Sequence, residues 1–430
     1  MNPEFQRQLN LEFSYARLVG LPAFLMVVFS LTFLIDNKIL SEASANTAIG
    51  LYIVIVLFWG AKQAGESIYE ELRNNTWDIQ RTSAISPWSL AWGKLIGSTL
   101  YNWYGGVLCL LVFSLATPEQ GYVALTWLYS IGCGFLAQGL SLLIALFSLR
   151  RKQAVNSGFN YLFALFALFF IMPVMLNIDE FSTETVNWYG VNYNQASFYL
   201  ASLIIACCWV IVGIYRILVE ELQIRVLPTV WVLFVLFLTS YFSGFIVFND
   251  DINRGMGIAV IEMMVGFSVC ISLSYMLLFI DINNPMQLRK LWVYFSQQQW
   301  LRVIQGLPCW FINAVIAIPA VLVLTVLYPV EKMDDINFYP LVIFFLMMRD
   351  MGILLFFSYA PNPKRAISLT LLFLICLYGL LPAIFTALNA GFLANMVLPV
   401  LSHTFFIAVI TAAFQVVVVG FLLYRRWQNR

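Results

Sequence analysis

Few residue types in this sequence could perform chemistry. It has one histidine, His403, so neither a histidine-based metal site nor a catalytic triad can be built. No G-x-x-x-x-G-K-[ST] stretch occurs, so the chain lacks the loop that cradles phosphates in many ATPases. We therefore predict that the chain is not itself an enzyme and binds no metal or cofactor. The cysteines lie within or at the ends of apolar runs and are expected to be small buried side chains: Cys109, Cys133, Cys207, Cys208, Cys270, Cys309 and Cys376.

Glu262, Arg349 and Asp350 stand inside apolar runs, where a charge is costly and usually faces a partner or a water-filled cavity. Glu262 lies near the end of its run, and His403 and Arg254 are candidate partners at similar depth. Glu262 either lines a pathway or interface, or is a glutamate with a purely structural hydrogen bond. Arg349 and Asp350 are adjacent, and adjacent residues do not share a helix face. We expect each of them to pair with another helix or with the membrane interface.

The stretch from Gly65 to Gly97 separates two long apolar runs and has its own pattern. The first run continues into a charged helix, in which Glu66, Glu70 and Arg73 recur at helical spacing. Asn74-Asn75 then breaks this helix. The stretch is too long and too patterned to be a simple connection.

A second, shorter helix is expected after this break. Thr76 can cap it with its side-chain hydroxyl, and apolar and polar residues alternate along it. Ser86-Pro87 ends it, because proline cannot continue the hydrogen-bond ladder and restricts the preceding residue. The chain then returns through a membrane interface, where indole rings and lysine side chains anchor: Trp88, Trp92 and Lys94.

This pattern of an acidic helix end, N-T-W-D, S-P-x-S and G-K-L resembles the membrane subunits of type-2 ATP-binding-cassette exporters. In that family the segment is the coupling helix, which docks into a groove of a separate nucleotide-binding subunit. The resemblance implies that the docking residues are Glu70, Glu71, Asn75, Thr76, Trp77, Asp78, Gln80, Arg81, Ser86, Pro87 and Lys94, and Ser89 and Gly93 also match the motif. It implies two ATPase subunits as partners, with ATP and Mg²⁺ bound there and not by this chain.

Composition places the chain in a membrane. It is 61% hydrophobic and only 10% charged, and about 20 apolar residues suffice to cross the hydrocarbon core as a helix. The fold class is therefore all-α and polytopic. We predict twelve spans, at roughly 17–35, 47–64, 97–116, 122–148, 157–176, 196–217, 228–248, 256–280, 307–328, 339–358, 366–387 and 399–423.

Positive charge gives the orientation. With both termini in the cytoplasm, all of the 23 basic residues except Lys38, Arg254 and Lys332 fall on the cytoplasmic side. We therefore expect a multi-pass protein of the cytoplasmic (inner) membrane. At the N-terminus, residues 1–16 place Phe5 and Leu9 on one stripe, which predicts an amphipathic helix lying in the membrane interface.

The two halves of the sequence are predicted to be parallel repeats of six spans, at 17–222 and 223–430. Laying Asn74-Asn75 over Asn283-Asn284 also brings Arg81 to Lys290 and Gly97 to Gly306. The first half carries the coupling segment at 65–97, and the second half carries a degenerate one at 281–306. The second lacks the glutamate pair and the S-P-x-S turn. Its weaker candidate docking residues are Asn283, Asn284, Gln287, Arg289 and Lys290.

The outer connection at 177–195 is rich in aromatic residues, and in the family this region folds into short helices that dip into the outer leaflet. The region from Leu388 to Met396 would be its counterpart in the second half.

The function predicted by the resemblance is a permease driven by ATP hydrolysis in separate subunits. The apolar spans favour an amphipathic or lipid-like substrate. The alternative is a twelve-span secondary transporter with no ATPase partner, although the short G-x-x-x-D-R-x-G-R-R-like turn of such proteins is missing. A membrane-embedded enzyme is disfavoured because no cluster of acids, histidines or serine nucleophiles gathers at one depth, and a scaffold role would leave the coupling-like segment unexplained. No feature indicates nucleic-acid binding.

Overall fold

The structure is a computed structural model. It describes residues 2–12, 14–35, 42–82, 85–117, 123–150, 184–224, 226–246, 257–280, 285–327, 331–333, 336–360, 365–402 and 404–428. Within these residues the chain is almost wholly helical. It forms two compact units, Met1–Asn187 with Val191–Val226 (unit 1) and Trp188–Gly190 with Leu227–Arg430 (unit 2).

The described residues of unit 1 form nine α-helices and, just before the last of them, a short hairpin whose turn groups with unit 2. A π-helical stretch, Ile53–Trp59, joins α3 to α4, so that the two run on as one long helix. The elements are α1 (Pro3–Glu12), α2 (Tyr15–Ile35), α3 (Glu42–Tyr52), α4 (Gly60–Arg73), α5 (Trp77–Thr82), α6 (Pro87–Gly97), α7 (Leu100–Ala116), α8 (Val123–Arg150), β1 (Thr185–Trp188), β2 (Val191–Asn194) and α9 (Gln195–Glu221).

Unit 2 contains the remaining helices and a second two-stranded hairpin. A π-helical turn, Cys376–Leu380, interrupts one long helix between α16 and α17. The elements are α10 (Thr229–Ile246), α11 (Ile258–Ile280), α12 (Pro285–Ser296), α13 (Trp300–Gly306), α14 (Cys309–Leu327), β3 (Glu331–Met333), β4 (Ile336–Phe338), α15 (Pro340–Ser358), α16 (Ala366–Ile375), α17 (Leu381–Ala387), α18 (Gly391–Val397) and α19 (Phe405–Gln428).

The prediction of a polytopic all-α membrane protein is confirmed. The described residues include 10 helices long and apolar enough to cross a membrane, or 11 when the bent pair α6–α7 counts as one span. These coincide with eleven of the predicted spans, and the other, 157–176, lies outside the described residues. The number twelve and the six-plus-six repeat stay predictions.

Two local expectations were wrong. The last span begins at Phe405 and not near residue 399, because Pro399–Leu401 forms a separate 3₁₀ turn. In the described part of the aromatic outer connection, residues 184–194 form the hairpin β1–β2 and not short helices. The alternating polar and aromatic side chains of Thr185–Asn194 suit a strand pair with a tight turn, in which Tyr189 (φ 49°) and Gly190 (φ 73°) are left-handed. In the second half, Leu388–Met396 does contain a short helix, α18.

The core of unit 1 is held by hydrogen bonds between helices as well as by apolar packing. The π-helical stretch alters the usual hydrogen-bond ladder, and Gln138 of α8 donates to the backbone carbonyl of Val56 at 3.1 Å. The same glutamine accepts from the indole of Trp103 at 2.9 Å. Tyr52 donates to the carbonyl of Ser130 at 2.7 Å. In a membrane such backbone groups have no water to bind, so these contacts fix the packing of the long helix on α8.

Unit 2 buries a polar network around Arg349 and Asp350 of α15. The expected pairing of each residue with another helix is confirmed, and Nε of Arg349 also donates to Asp350 at 2.8 Å, a contact that the sequence did not predict. The long, flexible arginine side chain folds back along its own helix. Each residue also binds other helices: Arg349 donates to Gln415 at 2.6 Å, and Asp350 accepts from Tyr275 and Tyr378 at 2.7 and 2.6 Å. The two charges are therefore neutralised where they are buried.

Candidate functional site

The first coupling segment, residues 65–97, is a helix–turn–helix–turn–helix in the structure. α4 ends at Arg73, and the chain turns through Asn75, which adopts a left-handed conformation (φ 55°). The backbone and the hydroxyl of Thr76 both donate to the carbonyl of Glu71, at 3.0 and 3.3 Å, which closes this turn. α5 then starts at Trp77, as the amide of Gln80 donates to the carbonyl of Thr76. The predicted break at Asn74-Asn75 is confirmed.

The third helix, α6, begins with a capping arrangement. The hydroxyl of Ser86 accepts from the amide of Ser89 at 3.2 Å, and Pro87 occupies the first helical position, which needs no amide hydrogen. Ser89 also exchanges hydrogen bonds with the side chain of Asn2, at 2.5 and 2.8 Å. The S-P-x-S sequence thus starts a helix and ties it to the N-terminus.

The N-terminal helix α1 packs on α6 with its polar side. A Cβ on Gly93 would lie 2.7 Å from the side chain of Glu4, and one on Gly97 would lie 2.9 Å from that of Gln8. Glu4 and Gln8 are buried, and Phe5 is only half-buried. The sequence predicted this helix correctly but not which of its faces is buried. Gly93 and Gly97, one turn apart on α6, let Glu4 and Gln8 of α1 approach the α6 backbone.

Four charged side chains meet where α1, α4 and α6 converge, and we call them the buried charge cluster: Glu4, Arg7, Glu71 and Lys94. Three of them are buried, and 41% of the Arg7 side chain is exposed at the edge of the cluster. Nζ of Lys94 lies 2.5 Å from one carboxylate oxygen of Glu71 and 3.7 Å from Glu4. Arg7 donates to Glu4 at 2.8 Å and also to the second oxygen of Glu71. Lys94 is fully buried, and the exposed fractions of Glu71 and Glu4 are 5% and 2%.

Neutral side chains complete this cluster. Gln80 of α5 donates to Glu71 at 2.6 Å, and Gln8 donates to Glu4 at 3.0 Å. The indole ring of Trp77 lies 5.7 Å from Nζ of Lys94 and is itself only 5% exposed. The expected role of Lys94 as a membrane-interface anchor was wrong, since two carboxylates draw its ammonium group inward. Trp88 does remain half-exposed, in edge-to-face contact with Trp92 at 5.8 Å.

The electrostatics favour charged forms of the α1 residues. Burial works to raise the pKa of Glu4, but hydrogen bonds from Arg7 and Gln8 and the charge of Lys94 outweigh it, so its pKa is lowered. Burial works to lower the pKa of Arg7, and the two glutamates outweigh it, so its pKa is raised. An ionised Glu4 is therefore part of the assembled state.

The structure divides the predicted docking residues into two groups. The inner group includes Trp77 and Gln80, which hold α5 to the buried charge cluster, and the outer group lies on the surface of the segment. Ile79, which the prediction did not name as a docking residue, is 69% exposed beside Asp78. Buried are Glu71, Trp77 and Lys94; half-buried are Thr76, Gln80, Arg81 and Pro87; exposed are Glu70, Asn75, Asp78 and Ser86.

Sequence reasoning missed Glu4, Gln8 and the partnership of Arg7. A signal was present, because Glu4 and Gln8 are one turn apart on a short helix and so mark a polar stripe. Nothing local links that stripe to a lysine some ninety residues away.

The second coupling segment, residues 281–306, differs in structure from the first. Asn283 and Asn284 lie outside the described residues, and Gln287 lies in α12. Arg289 and Lys290 are exposed on α12. Gln298 turns the chain in a left-handed conformation (φ 55°), and α13 follows with no buried residue.

His403 and Arg254, the predicted partners of Glu262, lie outside the described residues. Glu262 is exposed on the second turn of α11. Its charge adds to burial in raising the pKa of Tyr189, in the turn of the first hairpin. In the part of the chain that the structure describes, no three His, Cys, Asp or Glu residues are placed to hold a metal ion.

Comparison with known proteins agrees with this architecture. Residues 32–221 match the family model described as ABC-2 family transporter protein. The match includes α5 and α6 but not α1, and it ends at the last residue of α9. No curated protein and no solved structure matches the chain. The chain is a multi-pass membrane protein, and its residues 32–221 are similar to the ABC-2 family of transporter proteins.

Proposed function

We propose that this chain is the membrane subunit of an ATP-driven transporter and that the first coupling segment docks a separate ATPase subunit on the cytoplasmic side. The observation that carries the proposal is the short helix α5, whose inner side chains contact the buried charge cluster and whose outer side chains are exposed. Trp77 and Gln80 hold it to the buried charge cluster, whereas Asp78 and Ile79 are exposed. An apolar side chain flanked by a carboxylate, standing out from a rigid helix, suits insertion into a groove.

The same contacts give a route for mechanical coupling. Glu71 belongs to α4 and Lys94 to α6, so a displacement of α5 moves two helices that continue towards the membrane spans. α4 continues the long helix that began at Glu42, and α6 leads into α7 across a 48° bend. ATP and Mg²⁺ bind to the partner and supply the energy there. The residues of this chain transmit a movement and form no covalent intermediate.

The transported substrate is proposed to be amphipathic or lipid-like. The described spans present long apolar surfaces, and their buried charges at Arg349 and Asp350 are already paired. Stimulation of ATP hydrolysis by amphipathic compounds and not by hydrophilic ones of similar size, in the reconstituted complex, would support this proposal; the reverse preference would refute it.

The docking test uses exposed residues only. The tagged chain is purified from its native membranes, and ATP hydrolysis and photo-labelling by azido-ATP are measured in the eluate. The variant Asp78→Lys/Ile79→Asp should lose the labelled ATPase, because it reverses a charge and places a carboxylate in the groove. Trp77 is unsuitable for this purpose, since its ring is buried and its loss would disturb the fold of α5 itself.

A matched control is Glu42→Lys, a charge reversal on an exposed residue at the start of the long helix Glu42–Arg73, whose other end leads into α5. It should retain the ATPase. Unchanged association in Asp78→Lys/Ile79→Asp would refute docking at α5. Purification of the unaltered chain with no nucleotide-labelled partner would instead favour the secondary transporter.

A further inference from the structure

The second coupling segment exposes a continuous aromatic surface. The rings of Trp292 and Phe295 stack at 5.9 Å with 23° between their planes, and Phe295 meets Trp300 edge-on at 5.3 Å. The exposed fractions of these three residues are 64%, 48% and 56%. The surface therefore crosses from α12 to α13 as one patch, and such a patch marks a contact with another molecule or with lipid.

The turn between the two helices fixes the shape of this patch. The amides of Gln297 and Gln299 donate to the carbonyls of Val293 and Tyr294, at 3.0 and 2.9 Å. Both bonds satisfy carbonyls at the end of α12, and Gln298 between them is left-handed. The patch therefore lies on a hydrogen-bonded turn between two helices and not on a frayed helix end.

The charged residues of α12 and α13 are all basic. Arg289, Lys290 and Arg302 are exposed, and no acidic residue occurs from Pro285 to Gly306. Arg302 donates to Gln299 at 2.7 Å, and Arg289 donates to the backbone carbonyl of Trp427 at 3.0 Å. Within the described residues none of the three basic side chains forms an ion pair with a carboxylate, so their charge is available to an external anion.

The connections of the segment limit where it can lie. α11 ends at Ile280, α12 begins at Pro285, and only Leu307 and Pro308 separate α13 from α14. Both α11 and α14 contain candidate membrane spans. A segment joined to two spans by such short links must lie at the level where those spans leave the bilayer.

We propose that α12 and α13 lie in the membrane interface and bind the headgroups of anionic lipids. Tryptophan and phenylalanine rings insert at the boundary between headgroups and acyl chains, and arginine and lysine beside them attract phosphate groups. This surface differs in kind from the exposed face of the first coupling segment, where acidic and basic residues are mixed. The inference is independent of ATPase docking.

The test measures amide hydrogen exchange of residues 285–306 in the chain reconstituted into nanodiscs without any ATPase. Nanodiscs of phosphatidylcholine alone are compared with nanodiscs that also contain phosphatidylglycerol. Anionic lipid should slow exchange by about tenfold or more, since each basic residue near such a surface contributes a factor of about five. Inorganic phosphate added to the phosphatidylcholine nanodiscs should give no such protection.

The variant Arg289→Gln/Lys290→Gln/Arg302→Gln should abolish the dependence on anionic lipid, and the matched variant Arg73→Gln/Arg81→Gln in the first coupling segment should keep it. Brominated lipid should quench the tryptophan fluorescence of the unaltered chain more than that of Trp292→Phe/Trp300→Phe. Equal exchange in both lipid compositions, or protection by inorganic phosphate alone, would overturn the proposal. Protection that arises only after an ATPase is added would assign the surface to protein docking.

Discussion

The two coupling segments follow the second predicted span of each half, yet they are stabilised in opposite ways. The first is built around buried charge: Lys94 is fully buried between Glu71 and Glu4. The second has no acidic residue in its described helices, and α13 has no buried side chain at all. The first segment buries an ion pair, Glu71 and Lys94, whereas the second exposes aromatic rings and basic side chains.

This difference shows what each segment is suited to do. Removing charges from water is costly, and the cost is recovered only when every member of the cluster keeps its partner. Such a cluster holds α5 in one position relative to α4 and α6, as transmission of a movement requires. A surface of exposed rings and cations sets no such single position, but it suits a soft, extended partner such as a lipid layer.

The variant Lys94→Met is expected to have the largest effect on the difference between the two segments. It leaves Glu71 and Glu4 buried with fewer partners, and breaking a buried pair costs about 3–5 kcal/mol. Amide exchange at residues 71–82 should therefore accelerate by about a hundredfold or more. The matched change Lys290→Met in the second segment removes an exposed lysine, and exchange at residues 288–299 should change by at most a few-fold.

A double variant sharpens the result. Glu71→Leu/Lys94→Met removes both charges of this buried pair, and the third buried charge, Glu4, keeps its bond from Arg7. Much of the lost protection should return, because replacing a whole buried pair by apolar residues is often close to neutral. Equal effects of Lys94→Met and Lys290→Met would show that the cluster does not hold the first segment.

The sequence was sufficient for the elements of the first segment but not for their contacts. Asn74-Asn75 and Ser86-Pro87 are local signals, so the breaks between α4, α5 and α6 could be read directly. Lys94 was misread because a lysine near the end of an apolar run is typical of an interface anchor. Only the fold brings Glu4, far away in the chain, to within 3.7 Å of it.

The same limit explains why the contact between Arg349 and Asp350 was not predicted. Helical spacing separates its Cα–Cβ direction from that of Asp350, but it does not fix where a flexible guanidinium group folds. The structure shows the group folding back to its neighbour while also reaching Gln415. Periodicity predicts which elements form, and long side chains decide which charges meet.

A smaller effect is expected from steric changes at glycines of the two segments. In Gly93→Ala the new Cβ would meet the side chain of Glu4 at 2.7 Å and the backbone nitrogen of Phe5 at 3.0 Å, so α1 must shift away from α6. Overpacking of this kind costs about 1–3 kcal/mol. Amide exchange of α1 should accelerate by about tenfold or more.

The control for this change is Gly306→Ala. There the nearest atom is a terminal methyl carbon of Leu291, at 2.7 Å, which can move aside by rotation. Exchange in α12 and α13 should change by at most a few-fold. An undisturbed α1 in Gly93→Ala would show that its contact with α6 is loose, and the contrast between the segments would then rest on the charges alone.

The smallest expected effect is a response to acid. Because the pKa of Glu4 is lowered in the folded chain, its carboxylate stabilises the docking of α1 at pH values above the ordinary glutamate pKa of about 4.3, and that contribution is lost as the pH falls through the lower folded value. Exchange of α1, corrected for the intrinsic rate, should therefore accelerate below about pH 4. Residues 285–306 contain no acidic group and should show no matching transition. In Glu4→Gln the amides of α1 should exchange faster at neutral pH, and most of the pH dependence of that exchange should be lost. A transition of the same pH and size in that variant would show that another group is responsible for the acid response of α1.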